Sequence, residues 1–277
     1  MTSVLLLGFG AIGRHVAQLL SPELAAGTLS LTALVSDRAK HSDRPNHGAE
    51  VVDLPTFDRF DVIVECAGVP AASQLGPVAI AAGRPLVLTS VGALADPDTR
   101  AALLAGPGHL HVTNGAIGGL DVLEAAAQAG GLDSVEITTS KEASGLIRPW
   151  MSETEADRLR DLRPEDGPLT VFLGNPAEAI EKFPANVNIA VALAWATRGL
   201  PTKGMSDADL LGASLERVQV VLQAVAGQTQ SAHQIRAAGS AGEFAFDIRS
   251  TPSPENPATS GLTALSVTRT LRTVLAD

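Results

Sequence analysis

Short apolar runs and helical stretches alternate along the first 112 residues of the chain. The first run, SVLLLGFG at residues 3–10, is apolar until its closing glycines, which is typical of a strand buried on both faces of a parallel sheet. A helix, AIGRHVAQLL, follows directly. Further strands are predicted in LSLTALVSD, FDVIVECAG, RPLVLTSVG and GHLHVTNGA, and further helices in AASQLGPVAIAAG and DPDTRAALLAG. This alternation predicts an α/β fold that begins with a Rossmann-type, doubly wound sheet over residues 1–112.

The pattern changes after residue 112 and predicts a second α/β domain over residues 113–257. A helix in GGLDVLEAAAQAGG and a strand in SVEITTSKEA come first, and residues 150–168 are charged and loop-like. A strand and two helices follow, the second with an Asn start, and then three strand patterns in ERVQVVLQAVAG, AHQIRAAG and EFAFDIRS. We expect this domain to contain a mixed or antiparallel open sheet. We expect residues 258–277 to form an amphipathic helix that packs back on the first domain.

Charge and composition exclude several classes of partner. The chain of 277 residues has 20 Lys and Arg against 30 Asp and Glu, a net charge of -10, which disfavours nucleic acid. Its single cysteine, Cys66, excludes an internal disulfide and favours a cytoplasmic setting. The longest apolar run, near IAVALAWA, is too short to span a membrane.

The motif GFGAIG follows the first predicted strand and opens the first predicted helix. Its glycines stand at positions 8, 10 and 13, where they permit a tight turn, close approach of the backbone to a pyrophosphate, and close packing of helix on strand. A helix N-terminus in this position attracts the anion. The candidate pyrophosphate-binding residues of a dinucleotide cofactor are therefore Gly8, Gly10, Ala11, Ile12 and Gly13. The alternative is an ordinary strand-to-helix turn, which the acidic residue described next disfavours.

Asp37 ends the second predicted strand, 24 residues after Gly13. A carboxylate there can accept hydrogen bonds from the adenosine ribose hydroxyls, which favours NAD. Ser36 and Arg38 on either side could instead bind the 2′-phosphate of NADP. NAD is the first expectation and NADP stays open.

Two later strand ends, ECAG (65–68) and SVGAL (90–94), carry small residues that would let the nicotinamide ribose lie against the backbone. Cys66 and Ala67 are therefore candidate cofactor-binding residues as well. For Cys66 itself, a small buried apolar side chain is favoured over a reactive thiol.

Three later segments carry a more specific pattern: NGAIGGLDVL (114–123), VFLGNPAEAIEKFPANVNIAVALA (171–194) and HQIRAAGSAGEFAFDIRSTPSPENPATSGLTALSVTRTLR (233–272). With the glycine motif, they resemble the L-aspartate dehydrogenase family, which oxidises aspartate to iminoaspartate with NAD or NADP. The resemblance implies an NAD(P)-dependent oxidoreductase acting on the CH–NH2 group of a small-molecule substrate. It also implies a Rossmann domain, a catalytic and dimerisation domain with an open sheet, and a homodimer. The product would give oxaloacetate and ammonia or feed NAD biosynthesis.

The resemblance also assigns roles to residues. It places the catalytic histidine on His233, the nicotinamide-side alanine on Ala116, and a cofactor-contacting asparagine on Asn186 or Asn188 of the NVN block. The chain departs from the common family pattern at Ser231, where an asparagine is frequent, and in TTSKEASGL, which lacks a Lys-Pro-Pro run. These departures concern substrate detail more than reaction type.

The chemistry of amine oxidation independently suits a histidine at position 233. The substrate nitrogen must be neutral before hydride leaves the α-carbon, and imidazole can take that proton and later help water attack the imine. A strand histidine with no role is the alternative. The two carboxylates of aspartate require cations or converging donors. The available side chains are Lys141, Arg148, Thr259 and Ser260, of which the last two could equally be N-caps of the last helix.

Two other functions fit the same architecture. One is a related two-domain nicotinamide reductase, similar to dihydrodipicolinate reductase or homoserine dehydrogenase, which fold alone does not exclude. The other is a non-catalytic NAD-sensing protein, which the presence of His233 and the NVN block disfavours. His109 and His111 have a spacing that can chelate zinc, but no third ligand follows at a suitable spacing, so no metal is expected.

Overall fold

The computed structural model describes residues 1–37, 39, 45–52, 56–184, 188–201 and 204–276. The chain divides into two compact units, the first comprising Met1–Gly115 and Thr263–Asp277 and the second Ala116–Leu262. The chain therefore leaves the first unit after Gly115 and returns to it with its last helix.

The first unit is built on a six-stranded parallel sheet. Its strands are β1 Thr2–Leu7, β2 Leu29–Leu34, β3 Glu50–Val52, β4 Val62–Glu65, β5 Leu86–Leu88 and β6 Leu110–Val112. They lie in the order β3-β2-β1-β4-β5-β6. Because the order reverses between β1 and β4, the loops after these two strands frame the crevice in which such sheets bind ligands. The predicted Rossmann-type sheet is confirmed.

Helices cover this sheet and complete its core. They are α1 Ala11–Leu19, α2 Ser21–Ala25, α3 Val69–Ala81 and α4 Pro97–Leu104. The C-terminal helix, Leu262–Ala276, packs against the same core through Ala264, Val267 and Leu271. Arg272 of this helix also donates a hydrogen bond of 2.7 Å from Nε to Oε1 of Glu23. The C-terminal helix is thus part of the first unit's hydrophobic core.

The second unit contains a five-stranded mixed sheet, which confirms the predicted second α/β domain. Its strands are β7 Ser134–Glu142, β8 Leu169–Gly174, β9 Gln219–Val225, β10 Ser231–Gly239 and β11 Gly242–Ser250. The order is β11-β10-β7-β9-β8, in which only β7 and β9 run parallel. Two short antiparallel strands are β12 Pro252–Ser253 and β13 Asn256–Ser260. The helices are α5 Leu120–Gln128, α6 Glu153–Arg160, α7 Pro176–Lys182, α8 Asn188–Ala196 and α9 Asp207–Arg217.

One face of the two central strands β7 and β10 is buried. On β7, Val135, Ile137 and Thr139 alternate with more exposed neighbours, and β10 buries His233, Ile235 and Ala237 in the same way. This period of two is that of a strand with one covered face. His233 therefore projects to the covered side of the sheet.

Two stretches differ from the sequence-based expectation. Residues 150–168 are not simply a loop, because they contain α6, which begins with a capping box between Ser152 and Glu155. The last helix starts only at Leu262, because residues 256–260 form β13. There the Ser260 hydroxyl accepts a hydrogen bond from the Leu262 N–H, and the Gly261 N–H donates to the Thr251 carbonyl. These local bonds compete with an earlier helix start.

Candidate active site

The loop between β1 and α1 is the candidate pyrophosphate-binding loop of the first unit. Gly8 has φ +91°, and a Cβ added there would lie 2.8 Å from Cα of Ala67. A Cβ on Gly13 would lie 2.5 Å from the Gly8 carbonyl oxygen. At Gly10, by contrast, an added Cβ would have nothing within 4 Å among the described residues. Packing within the protein therefore requires Gly8 and Gly13, whereas Gly10 borders open space that a ligand can enter.

The start of α1 fits an anionic group. Gly10 is the N-cap residue and has no side chain that could cap the first turn. The first N–H groups of a helix lack partners within the helix and carry partial positive charge. The donors of Ala11, Ile12 and Gly13 therefore lie beside the open space at Gly10. This arrangement fits the pyrophosphate of a dinucleotide.

Asp37 follows β2, the neighbour of β1 in the sheet. The two strand ends are joined by a hydrogen bond of 2.9 Å from the Gly8 N–H to the Leu34 carbonyl. The half-buried Asp37 side chain accepts a bond of 3.1 Å from the Ala39 N–H at Oδ1. The carboxylate is thus on the β2 side of the glycine loop, where an adenosine ribose lies in such folds. Arg38 lies outside the described residues.

A buried carboxylate organises the ends of β4 and β5. Glu65 is fully buried, and its Oε1 accepts hydrogen bonds from the Ala67 N–H at 2.7 Å, the Gly68 N–H at 2.9 Å and the Ser90 hydroxyl at 2.9 Å. Its Oε2 accepts from the Ser90 N–H at 2.8 Å. Burial raises the pKa of Glu65 above its ordinary value, and these four bonds offset only part of the rise. Because each partner donates, the arrangement suits the ionised carboxylate, which offers only acceptors.

Cys66 and Ala67 lie in the loop that Glu65 holds. The Cys66 side chain packs against the core of the first unit, and its Sγ is 3.8 Å from the Thr89 hydroxyl. Burial, and next the Glu65 charge, raise the pKa of the Cys66 thiol above its usual range. The side chain therefore acts as a small apolar residue rather than a thiolate nucleophile. Ala67 approaches Gly8 closely, so the loops after β1 and β4 are in contact.

The second unit carries the remaining candidates. Ala116 is buried with 5% of its surface exposed, at the start of the unit. Asn188 is the first residue of α8. Asn186 lies outside the described residues. The choice between the two asparagines therefore stays open.

His233 is a buried polar residue on β10. Only 3% of its surface is exposed, and its Nδ1 lies 3.1 Å from Oγ1 of Thr139 on β7. The strand register pairs these two residues directly. Burial, and next the Lys141 charge, lower the pKa of His233 to about 4. At neutral pH the imidazole is therefore uncharged.

Two cations of the second unit are Lys141, near the end of β7, and Arg148, in the chain that follows β7. Burial, and next the Arg148 charge, lower the pKa of Lys141 to about 8. Burial also lowers the pKa of Arg148. Arg148 donates from Nη1 to the carbonyls of Gly145 at 3.1 Å and Ile147 at 2.7 Å. The charge of Arg148 thus acts on Lys141, and the charge of Lys141 acts on His233.

The two hydroxyl residues considered for substrate binding have structural partners. The Thr259 hydroxyl accepts from the Asn256 amide at 3.1 Å. The Ser260 hydroxyl donates to the Ser250 hydroxyl at 2.8 Å and accepts from the Leu262 N–H at 3.1 Å. Both residues belong to β13, and Ser260 also stabilises the start of the C-terminal helix.

Sequence patterns did not reveal the roles of Glu65 and Thr139. Glu65 is an acidic residue at the end of an otherwise apolar strand, a signal that could have marked it, because buried acids are rare without partners. Thr139 gives no such signal. Among the described residues, no cluster of three His, Cys, Asp or Glu side chains could hold a metal ion. No helix within the described ranges has the length and apolarity needed to cross a membrane.

Two family models match the chain. The model described as "Aspartate dehydrogenase, C-terminal" matches residues 121–274. The model described as "Homoserine dehydrogenase, NAD binding domain" matches residues 8–107. Together they cover most of both units.

Individual proteins match over nearly the full length. The chain is 34% identical to the L-aspartate dehydrogenase of Pseudomonas aeruginosa, over 98% of this chain and 97% of that protein. It is 35% identical to the L-aspartate dehydrogenase of Ruegeria pomeroyi, over 97% of this chain and 91% of that protein. The crystal structure of aspartate dehydrogenase from Thermotoga maritima matches with a TM-score of 0.72 and 26% identity, covering 99% of this chain and 97% of that chain.

Proposed function

The chain belongs to the aspartate dehydrogenase family, and we propose that it oxidises the CH–NH2 group of L-aspartate to iminoaspartate. The nicotinamide-binding domain and the dehydrogenase relatives make it an oxidoreductase with a nicotinamide cofactor. The observation that carries the proposed substrate is the similarity to an L-aspartate dehydrogenase over 98% of the chain. Iminoaspartate would then hydrolyse to oxaloacetate and ammonia or feed NAD biosynthesis.

The first unit is proposed to bind the dinucleotide. Its proposed contacts are Gly8, Gly10, Ala11, Ile12, Gly13, Asp37, Cys66 and Ala67. Asp37 supports NAD as the preferred cofactor, since its carboxylate can accept from ribose hydroxyls and would repel a 2′-phosphate. The second unit is proposed to be the catalytic and dimerisation domain, with cofactor contacts from Ala116 and from Asn186 or Asn188.

His233 is the proposed proton-transfer residue. If Nδ1–H donates to Thr139, Nε2 keeps a lone pair that can take a proton from the substrate ammonium group. The nitrogen lone pair then forms the C=N bond as hydride leaves the α-carbon, for which the bound nicotinamide supplies the acceptor. His233 next returns its proton as water adds to the imine and ammonia departs. A neutral imidazole suits the first of these steps.

A steady-state assay tests the substrate and the cofactor together. The full chain is assayed with L-aspartate, D-aspartate, L-asparagine, L-homoserine and L-alanine, each with NAD and with NADP. We expect the highest kcat/KM for L-aspartate, and NADH oxidation when oxaloacetate and ammonia are supplied. Faster turnover of L-homoserine would instead assign a related reductase. Tight NADH binding without turnover of any substrate would assign a sensor.

The proposal includes a homodimer in a cytoplasmic setting. The single cysteine suits a reducing compartment. Light scattering coupled to gel filtration measures the assembly directly. A mass near twice 28.4 kDa is expected, and a mass near 28.4 kDa would contradict it.

A further inference from the structure

Arg14, in the first helix of the chain, holds the peptide groups on both sides of Gly10. Its Nη1 donates to the Phe9 carbonyl at 3.0 Å, and its backbone N–H donates to the Gly10 carbonyl at 3.0 Å. Arg14 and Phe9 are buried, with 7% and 3% of their surfaces exposed, whereas Gly10 is exposed. The guanidinium therefore lies within the first unit, while the glycine next to the bonded carbonyl faces outward.

The bond from Arg14 to Phe9 sets the direction of the next N–H group. The C=O and N–H bonds of a trans peptide point in opposite directions, and the peptide between Phe9 and Gly10 is trans. Because its carbonyl is turned toward the buried guanidinium, the Gly10 N–H points away from Arg14. No hydrogen bond from this N–H is found among the described residues. The Gly10 N–H is therefore available to a ligand in the open space beside it.

A glycine at position 10 makes this peptide easy to turn over. Glycine adopts φ of either sign at little cost, and an added Cβ at Gly10 would meet nothing within 4 Å among the described residues. If the peptide turned over, the Phe9 carbonyl oxygen would face the ligand in place of the Gly10 N–H, and an anion favours the N–H. The bond from Arg14 opposes this turn, because the turn would take that acceptor away from a buried donor.

We propose that Arg14 is a positioning residue for the dinucleotide, which fixes the peptide between Phe9 and Gly10 so that the Gly10 N–H is directed at the pyrophosphate. This inference rests on the proposed cofactor site and adds the residue that orders its loop. The loop then combines an open glycine, which the ligand can approach closely, with a donor of fixed direction. Because the donor is oriented before the ligand arrives, binding avoids part of the cost of ordering the loop.

Matched variants of the first unit test the inference. Arg14→Met removes the guanidinium, Arg14→Gln keeps a polar amide that is too short to reach the Nη1 position, and Arg14→Lys restores a cationic donor near it. Arg84→Met is the control, because Arg84 also donates to a main-chain carbonyl, from Nη2 to Asp58 at 2.7 Å. Arg84 precedes β5 and lies at the amino ends of the parallel strands, whereas the glycine loop follows β1 at their carboxyl ends.

The choice of ligands separates the pyrophosphate from the rest of the cofactor. NADH and ADP-ribose both contain the pyrophosphate, whereas adenosine contains no phosphate. Fluorescence titration measures the NADH dissociation constant, and competition with NADH measures the dissociation constants of ADP-ribose and adenosine. These binding measurements require no turnover. The KM for the cofactor, the kcat at saturating cofactor and the melting temperature are measured on the same variants.

In Arg14→Met and Arg14→Gln, NADH and ADP-ribose should bind about tenfold more weakly, the scale of weakening a hydrogen bond to a charged group. Adenosine should bind as it does to wild type. The KM for the cofactor should rise with little change in kcat, and Arg14→Lys should recover most of the affinity. Equal weakening of all three ligands would overturn the inference, because it would indicate general disruption of the first unit. ADP-ribose affinity equal to that of Arg84→Met would overturn it as well.

Ligand binding separates this inference from the proposed function. If wild type oxidises no amino acid, yet binds ADP-ribose and loses this binding selectively in Arg14→Met, the proposed substrate is wrong and the role of Arg14 stands. If wild type oxidises L-aspartate and the Arg14 variants keep its ADP-ribose affinity, the function stands and the role of Arg14 is wrong. If wild type binds neither NADH nor ADP-ribose, both the cofactor site and the role of Arg14 are wrong. Arg14→Gln gives the same comparisons if Arg14→Met does not fold.

Discussion

Replacing Glu65 with glutamine tests whether a buried charge holds the cofactor loops. The carboxylate accepts four hydrogen bonds, three at Oε1 and one at Oε2, from Ala67, Gly68 and Ser90. Glutamine has nearly the same shape but carries one oxygen and one NH2 group. Its best orientation keeps the oxygen at the Oε1 position and turns the NH2 group toward the Ser90 N–H. Two donors then face each other in a buried place.

The expected cost follows from these contacts. One charge-assisted bond, worth about 1.5–3 kcal/mol, is lost, and the other three weaken toward the value of about 1 kcal/mol typical of neutral bonds. The glutamine recovers part of this because burying a neutral amide costs less than burying a carboxylate. We expect a net loss of about 2–3 kcal/mol in the free energy of unfolding. The melting temperature should fall by about 5–10 °C.

The assay combines unfolding with cofactor binding. Thermal and urea unfolding of Glu65→Gln measure the stability loss, and fluorescence titration measures the NADH dissociation constant. Because Ala67 and Gly68 lie in the loop next to Gly8, we expect NADH to bind about tenfold more weakly. Ser90→Ala is the matched control, since it removes only the hydroxyl bond and should cost about 1 kcal/mol.

Equal stability of Glu65→Gln and Ser90→Ala would refute this reasoning, because it would mean that the charge of Glu65 contributes nothing to holding the loops. A large stability loss with unchanged NADH affinity would be equally informative. It would show that Glu65 supports the fold of the first unit without positioning the cofactor-binding loop.

Three further substitutions address the cofactor and the proton-transfer residue. Gly10→Val should fold normally, because the added Cβ meets nothing within 4 Å among the described residues, yet weaken NADH binding by about 30-fold or more, since it fills the space needed for the pyrophosphate; unchanged affinity would contradict the site. Asp37→Ala should lower kcat/KM about tenfold more with NAD than with NADP, and equal losses would exclude a role in reading the ribose. His233→Ala should lower turnover about 100-fold or more while NADH binding is retained, and near-normal turnover would remove the catalytic assignment. The pKa of His233 is about 4 in the folded chain against 6.5 ordinarily, so its contribution to stability is complete above pH 6.5 and is lost as the pH falls toward 4. At about 1.4 kcal/mol for each pH unit, this loss reaches about 3 kcal/mol in wild type, and an identical acid slope in His233→Ala would contradict it.

Local sequence patterns were sufficient for most of the fold. The apolar runs that became β1, β4 and β5 are continuous because both faces of a parallel sheet are covered, and such runs are visible without any contact information. The glycine motif likewise specifies much of its own turn, since the positive φ of Gly8 and the contact of Gly13 with the Gly8 carbonyl both lie within the motif. The fold class could therefore be predicted before any coordinates were known.

The sequence-based prediction missed two helices that begin with a capping box inside a polar segment. Residues 150–168 are charged throughout, yet the spacing of Ser152 and Glu155 starts α6. The same type of box between Ser206 and Asp209 starts α9, which was not predicted. In each case two hydrogen bonds from the capping box satisfy N–H groups at the start of the helix. These bonds start a helix in a segment whose polar composition alone suggests a loop.

The sequence by itself determined most of the strand and helix pattern, the nicotinamide-binding motif and, through the family resemblance, the candidate histidine. Only the tertiary structure decided the surroundings of that histidine: Thr139 lies 94 residues away along the chain and pairs with His233 because of the register between β7 and β10. It likewise decided the bond from Ser90 to Glu65, 25 residues apart. Backbone conformation depends mainly on near neighbours, whereas the pKa and the partners of a buried group depend on which strands the fold places beside it.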